Sequence, residues 1–165
     1  MKKIINSIKI DKKNNSFKSF IVLLFYRLMN YSYKTKHIGI RLAFLKVLKE
    51  IVFSIIGVNA QISYKAEIGD NIKLPHSAIG LVISGLAKIS DNQIIYHQVT
   101  IGVNDNLPLN KQGIIIKENC LLSAGCKIIS STVGKNCKIG PNAVVYKDLP
   151  NNSLWVSTGE FINRK

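Results

Sequence analysis

Two histidines stand at positions where imidazole chemistry is plausible on physical grounds. His76 follows Pro75 in NIKLPHSAIGLVISGLAKIS (71–90), and His97 lies in IIYHQVTIG (94–102). An imidazole titrates near neutral pH, so it can remove the proton from an attacking hydroxyl group. A surface histidine without a role is the alternative interpretation, and composition alone favours it. The choice between a catalytic base and a surface histidine therefore depends on the sequence around each histidine.

His76 interrupts a repeat with a step of six residues. Aliphatic residues recur at this step in several groups, which are separated by longer or shorter steps. A fixed short period predicts a solenoid of stacked strands and corners. His76 lies in a nine-residue step, and GVNDNLPLNKQGII (102–115) fills a fifteen-residue step as a predicted functional loop. The aliphatic positions are Ile62, Ile68, Leu74, Ile83, Ile89, Ile95, Ile101, Ile116, Leu122, Ile128, Val133, Ile139 and Val145.

Other positions keep the phase of this repeat. Asparagine often stands three residues after the aliphatic position, and it tolerates the left-handed backbone that a tight corner requires. Cys120, Cys126 and Cys137 occupy a slot where alanine otherwise stands. We therefore predict that the cysteines are small buried residues, because their spacing fits neither a metal site nor a disulfide framework.

The N-terminal third is predicted to be helical. Two helices are expected, at 16–30 and 38–56, and the second carries an apolar stripe that begins at Ile38. We divide the chain into a basic helical region (1–58), a repeat domain (59–150) and a tail (151–165). In the tail, Trp155 is expected to cap the end of the solenoid, and His37 between the helices is expected to be structural or exposed.

The net charge of +14 is concentrated near the N-terminus, where residues 1–50 hold twelve Lys and Arg against Asp11 and Glu50. Such a region favours phosphates, anionic lipid surfaces or acidic sugars, with a solvated basic surface as an equal alternative. No nucleic-acid motif accompanies the charge. The apolar runs are too short to cross a bilayer, so we expect a cytoplasmic protein with peripheral membrane contact through its basic region.

The repeat resembles that of the hexapeptide-repeat acyltransferases over about residues 60–150. Within that superfamily, segment 74–102 resembles the serine acetyltransferase branch and its relatives that acetylate cell-surface saccharides. The resemblance implies a mainly β fold, a left-handed parallel β-helix preceded here by short helices. It also implies homotrimers that bind acetyl-CoA in clefts between subunits, and no metal.

The resemblance gives roles to individual residues. His76 stands at the position of the catalytic histidine, the general base, and His97 (commonly glutamine in relatives) is the second candidate base. Gln61 stands at the position of an aspartate that hydrogen-bonds the catalytic imidazole. The residues matched to acetyl-CoA binding are Ser123, Ala124 and Gly125 for the pantetheine arm, and Lys127, Lys138 and Lys147 for the phosphates.

Three departures from the family bear on the acceptor. Pro75 and Gln61 replace two aspartates of serine acetyltransferases, and KQG at 111–113 replaces the Arg-His pair that holds serine. We therefore predict acetyl transfer to a hydroxyl of a saccharide or nucleotide sugar during assembly of a capsule, exopolysaccharide or O-antigen. The alternatives are a serine O-acetyltransferase of cysteine biosynthesis and a non-catalytic trimeric scaffold.

Overall fold

Three helices precede the repeat in the structure, a computed structural model that describes residues 2–35, 39–157 and 161–163. They are α1 (Lys2–Asn14), α2 (Phe17–Lys34) and α3 (Ile40–Ile56). The sequence predicted α2 and α3 but not α1, whose buried positions are the polar Ser7 and Asp11 instead of an apolar stripe. His37 and Ile38 lie outside the described residues. No helix in the described ranges is both long and apolar enough to cross a bilayer.

The repeat forms a coil of three parallel sheets. The first sheet holds β1, β4, β7, β10 and β13, the second holds β2, β5, β8 and β11, and the third holds β3, β6, β9, β12 and β14. A last strand, β15, joins the third sheet in antiparallel orientation. The strands are β1 Gln61–Ile62, β2 Glu67–Ile68, β3 Ile72–Lys73, β4 Val82–Ile83, β5 Ala87–Ile89, β6 Gln93–Ile95, β7 Thr100–Gly102, β8 Ile114–Ile116, β9 Leu121–Leu122, β10 Lys127–Ile129, β11 Thr132–Val133, β12 Lys138–Ile139, β13 Val144–Val145, β14 Ser153–Trp155 and β15 Phe161–Asn163.

The predicted aliphatic positions form the core. In the first sheet, Ile62 pairs with Ile83, Ile83 with Ile101, Ile101 with Ile128, and Ile128 with Val145. Every predicted position is buried except Ile62 in the first coil, which is half-buried. Because one aliphatic side chain of each strand points inward, the steps of nine and fifteen residues change the length of a corner without changing the register of the strands.

Asparagines shape the corners between the second and third sheets. Asn71, Asn92, Asn119 and Asn136 all have φ between 56° and 63°. Their side chains also link successive coils: the Asn71 amide donates to Asn92 Oδ1 at 2.7 Å, and the Asn119 amide donates to Asn136 Oδ1 at 3.2 Å. The predicted role of asparagine at the corners is confirmed.

The helices cap the open lower end of the coil. A solenoid leaves unpaired backbone groups at its ends, which invite aggregation unless they are covered. Here the Tyr26 hydroxyl donates to Ala66 O at 2.9 Å and accepts from the Ile68 amide at 3.0 Å. Arg27 donates to the backbone oxygens of Ile68 and Gly69 at 2.8 and 2.6 Å. The helices pack on the repeat, because side chains from α2 belong to the same core as the coil.

The upper end is closed by Trp155. Its side chain is fully buried, and its indole N–H donates to Val144 O at 3.0 Å. The antiparallel β15 then covers the edge of β14, so the third sheet does not end on a parallel strand. Trp155 therefore caps the coil, as predicted.

Candidate active site

The nine-residue step folds into a left-handed turn that presents His76. His76, Ser77 and Ala78 have φ values of 54°, 60° and 56°. This conformation costs a residue with a Cβ atom about 1–2 kcal/mol, so three in succession are strained. Hydrogen bonds hold the turn in place: the Gln98 amide donates to Ile79 O at 2.7 Å, and the Gly80 amide donates to Asn59 Oδ1 at 2.8 Å. Strain of this kind tends to occur at functional sites.

The left-handed turn belongs to a stack of corners, here called the His76 edge, where the third sheet passes into the first. It comprises residues 75–81, 96–99, 123–126 and 140–143 in successive coils. The His76 and His97 rings meet edge to face, with centroids 4.9 Å apart. The Gly125 amide donates to His97 O at 3.0 Å, and the Asn142 amide donates to Ala124 O at 2.9 Å. The fold therefore places the two candidate bases next to the predicted coenzyme segment.

The two histidines differ in their surroundings. His76 is exposed, whereas His97 is half-buried. His97 Nδ1 is buried and has no hydrogen-bond partner among the described residues. His76 is consequently the imidazole of the pair that solvent and a small acceptor reach freely.

The predicted coenzyme segment is narrow and rich in backbone groups. Gly125 has φ of 70°, and a Cβ atom at this position would collide with Asn142 Oδ1, so a side chain here would be strained and would displace Asn142. Ser123 and Ala124 are half-buried. The ammonium group of Lys127 donates to Gly125 O at 3.1 Å, which places one cation beside the segment.

The other two predicted phosphate ligands make different contacts. Lys138 opens β12 in the third sheet, where it pairs with Leu121 and Leu154. The ammonium group of Lys147 lies 5.1 Å from the centre of the Trp155 ring, a cation–π contact. Of the three lysines, Lys127 is the one whose ammonium group is hydrogen-bonded to the coenzyme segment within the described residues.

Gln61 lies on the first strand with an exposed side chain. Its backbone pairs with Val82, and in the part of the chain that the structure describes no hydrogen bond joins its side chain to His76. Gln61 borders a hollow of about 440 Å³ below the first sheet together with Lys49 and Glu50, whereas His76 borders a different one. The role of Gln61 in orienting His76 stays a prediction.

The predicted loop leaves the coil between β7 and β8, with a short helical turn at Leu109–Lys111. Gln112 anchors it, because its side-chain amide donates to Leu107 O at 2.8 Å and its backbone oxygen accepts from the Ser130 hydroxyl at 3.2 Å. The loop lies where the first sheet passes into the second, whereas His76 lies where the third passes into the first. The loop and His76 of one chain therefore stand at different edges of the first sheet.

The three cysteines are buried and free, as predicted. Cys120 Sγ donates to Gly134 O at 3.1 Å, and Cys137 Sγ donates to Pro150 O at 3.2 Å. Burial raises the pKa of the Cys126 thiol to about 12. The Cys126 thiol therefore stays protonated at neutral pH, and all three cysteine side chains belong to the buried core.

Comparison with known proteins shows which family the chain belongs to. No family model matches it. A serine acetyltransferase of Helicobacter pylori is 33% identical over 137 residues, which cover 82% of this chain and 75% of that protein. The chain belongs to the serine acetyltransferase-like branch of the hexapeptide-repeat acyltransferases.

Other serine acetyltransferases are also similar to this chain in sequence and in structure. A serine acetyltransferase of Buchnera aphidicola is 33% identical over 134 residues, 81% of this chain but 49% of that protein. The chain thus spans between half and three quarters of the length of these two relatives. The crystal structure of Brucella abortus serine acetyltransferase in complex with coenzyme A superposes with a TM-score of 0.80 at 25% identity, over 97% of this chain and 68% of that one.

Membership in this branch confirms the predicted fold. A second Brucella abortus serine acetyltransferase structure superposes with a TM-score of 0.75 at 28% identity, over 91% of this chain and 59% of that one. The likeness covers both the helices and the three-sheet coil, which is a left-handed parallel β-helix. The predicted left-handedness, which general crossover rules would not have given, is therefore correct.

Proposed function

We propose that the chain is an acetyl-CoA-dependent serine O-acetyltransferase in which His76 is the general base. The names of its relatives favour serine over the sugar acceptor predicted from sequence, and no comparison supports polysaccharide assembly or contact with a membrane. The observation that carries the proposal is the strained turn that presents an exposed imidazole on the same edge as the coenzyme segment, two coils below it.

The chemistry requires one base and a good leaving group. His76 takes the proton from the serine hydroxyl as its oxygen bonds to the thioester carbonyl carbon. The tetrahedral intermediate then collapses, the carbon–sulfur bond breaks, and the imidazolium returns the proton to the coenzyme A thiolate. The products are O-acetylserine and coenzyme A. Because a thiolate is a stable leaving group, no separate acid is needed.

The coenzyme is held by the upper part of the His76 edge. Ser123, Ala124 and Gly125 offer backbone groups to the pantetheine arm, and a relative with coenzyme A bound supports a coenzyme site in this fold. Lys127 lies nearest and is the first candidate for a phosphate contact. Lys138 and Lys147 would need a second chain to bring the phosphates to them.

The complete site is proposed to form between subunits. The loop and His76 stand at different edges of the first sheet, so one chain does not enclose its own base with its own loop. A homotrimer in which the loop of one chain lies beside His76 of the next would enclose both substrates. The separation of the loop and His76 on one chain is the observation that supports the homotrimer predicted from the resemblance.

The acceptor is tested by acetyl-CoA turnover with L-serine, monosaccharides and nucleotide sugars, followed as release of the coenzyme A thiol. We expect turnover that depends on L-serine. A sugar hydroxyl is the second candidate, favoured by Pro75 and by the sequence KQG at 111–113, which lacks the Arg-His pair of the family. Turnover with sugars alone would establish it, and no turnover with any acceptor would support a scaffold.

A further inference from the structure

His76 borders a small hollow that the sequence did not predict. The hollow has a volume of about 170 Å³ and lies between the first coil and the junction of α1 with α2. Ligand pockets for drug-sized molecules have volumes of about 300–1,000 Å³, so this one suits a metabolite of few heavy atoms. Its polar lining besides His76 consists of Asn14, Asn15, Ser16 and Lys73.

The uncharged polar side chains of this hollow are already engaged. The Asn15 amide donates to Ile72 O at 2.8 Å, and Asn15 Oδ1 accepts from the Leu74 amide at 2.7 Å. The Asn14 amide donates to Asn71 Oδ1 at 2.7 Å. Ser16 caps α2, where its hydroxyl oxygen accepts from the Ser19 amide. These hydrogen bonds fix the wall of the hollow.

Lys73 is different. It lies on β3 with an exposed side chain, three residues before His76. Within the described residues its ammonium group has no hydrogen bond and no salt bridge. The carboxylate of Asp70, in the preceding corner, pairs with Arg27 at 3.9 Å instead. Lys73 is thus an uncommitted cation that lines the same hollow as the proposed base.

We infer that Lys73 binds the α-carboxylate of the amino-acid acceptor while His76 receives the proton of its hydroxyl. This inference rests on the proposed function, because it needs an acceptor that carries a carboxylate. In serine a short carbon chain separates the carboxylate from the hydroxyl, which suits two groups on one small hollow. Lys73 would then supply the cation that the loop of this chain lacks as arginine, and it would favour amino acids over neutral sugars.

The test is the Lys73→Gln variant, assayed with L-serine and with L-serinamide, which keeps the hydroxyl but has no carboxylate. We expect kcat/KM for L-serine to fall about ten- to a hundredfold, the range for one hydrogen bond to a charged group, mainly through KM. The kcat/KM for L-serinamide and the KM for acetyl-CoA should not change. Lys88→Gln, on the exposed face of β5, is the matched control and should behave as wild type.

Four outcomes would overturn the inference. If Lys73→Gln acetylates L-serine as wild type does, Lys73 does not bind the carboxylate, although the proposed function stands. The inference also fails, and the proposed function stands, if Lys73→Gln lowers kcat/KM equally for L-serine and L-serinamide. It fails likewise if Lys111→Gln, on the loop, lowers kcat/KM for L-serine but not for L-serinamide. If the wild-type protein does not acetylate L-serine at all, the proposed function fails together with the inference.

Discussion

At the scale of single residues, the candidate site contains two imidazoles in contact with each other. His76 is held by a turn of three left-handed residues, and His97 by the hydrogen bond from the Gly125 amide to its backbone oxygen. Their ring centroids lie 4.9 Å apart in an edge-to-face contact. The exposed ring of His76 is the better placed to meet an acceptor.

The two candidate bases are separated by the His97→Gln variant. Glutamine is the residue that relatives commonly carry at this position, so it should fit the half-buried corner. We expect kcat/KM to stay within about tenfold of wild type, because loss of a general base costs about 10²–10⁴-fold. A loss in that larger range, measured as coenzyme A release, would make His97 the base instead of His76.

At the scale of elements, α1 and α2 act as the lower cap of the β-helix. Arg27 is buried, pairs with the buried Asp11 at 2.9 Å and donates to two backbone oxygens of the first coil. Burial raises the pKa of Asp11, whereas the guanidinium beside it acts in the opposite direction. The cap also builds the hollow beside His76, so the basic helical region contributes to the site as well as to stability.

The hydroxyl of Tyr26 ties the cap to the coil and should make stability depend on alkaline pH. Burial raises the pKa of Tyr26 to about 12. A raised pKa in the folded state means that this contribution is complete below the unfolded value of about 10 and is lost as pH rises towards 12. The free energy of unfolding should therefore fall more steeply from pH 10 to 12 in wild type than in Tyr26→Phe.

At pH 8, Tyr26→Phe should be less stable than wild type by about 1–3 kcal/mol, because the buried Ile68 amide loses its acceptor. Ala66 O keeps a partner, since the Asn30 amide donates to it at 3.0 Å. Urea unfolding at each pH measures both effects. Parallel curves for the two proteins between pH 10 and 12 would show that Tyr26 does not titrate in this window.

At the scale of the whole molecule, the sequence predicted the features that follow from the six-residue repeat. Each strand has one inward position, so a period of six predicts the buried aliphatic residues, the cysteine slots and the long loop. The pattern could not predict α1 because its buried residues are Ser7 and Asp11. It also could not tell that Lys138 lies in the third sheet whereas Lys127 lies in the first, because that depends on which sheet each lysine joins.

The hollow beside His76 is another feature that the sequence pattern could not predict. Lys73 and the junction of α1 with α2 are more than fifty residues apart in sequence, and only the packing of the cap on the first coil brings them together. No local pattern announces such a contact. The acceptor predicted from sequence, a sugar, rested on residues that differ from the family and could not take account of this hollow.

The central claim is that the strained turn serves to present His76 as the base for acetyl transfer. It is tested most directly by the initial rate of coenzyme A release from acetyl-CoA and L-serine with His76→Ala, alongside coenzyme A binding and thermal unfolding of the same variant. We expect kcat to fall by about 10²–10⁴-fold, with binding and unfolding close to wild type. A folded His76→Ala variant that turns over at the wild-type rate would contradict the account.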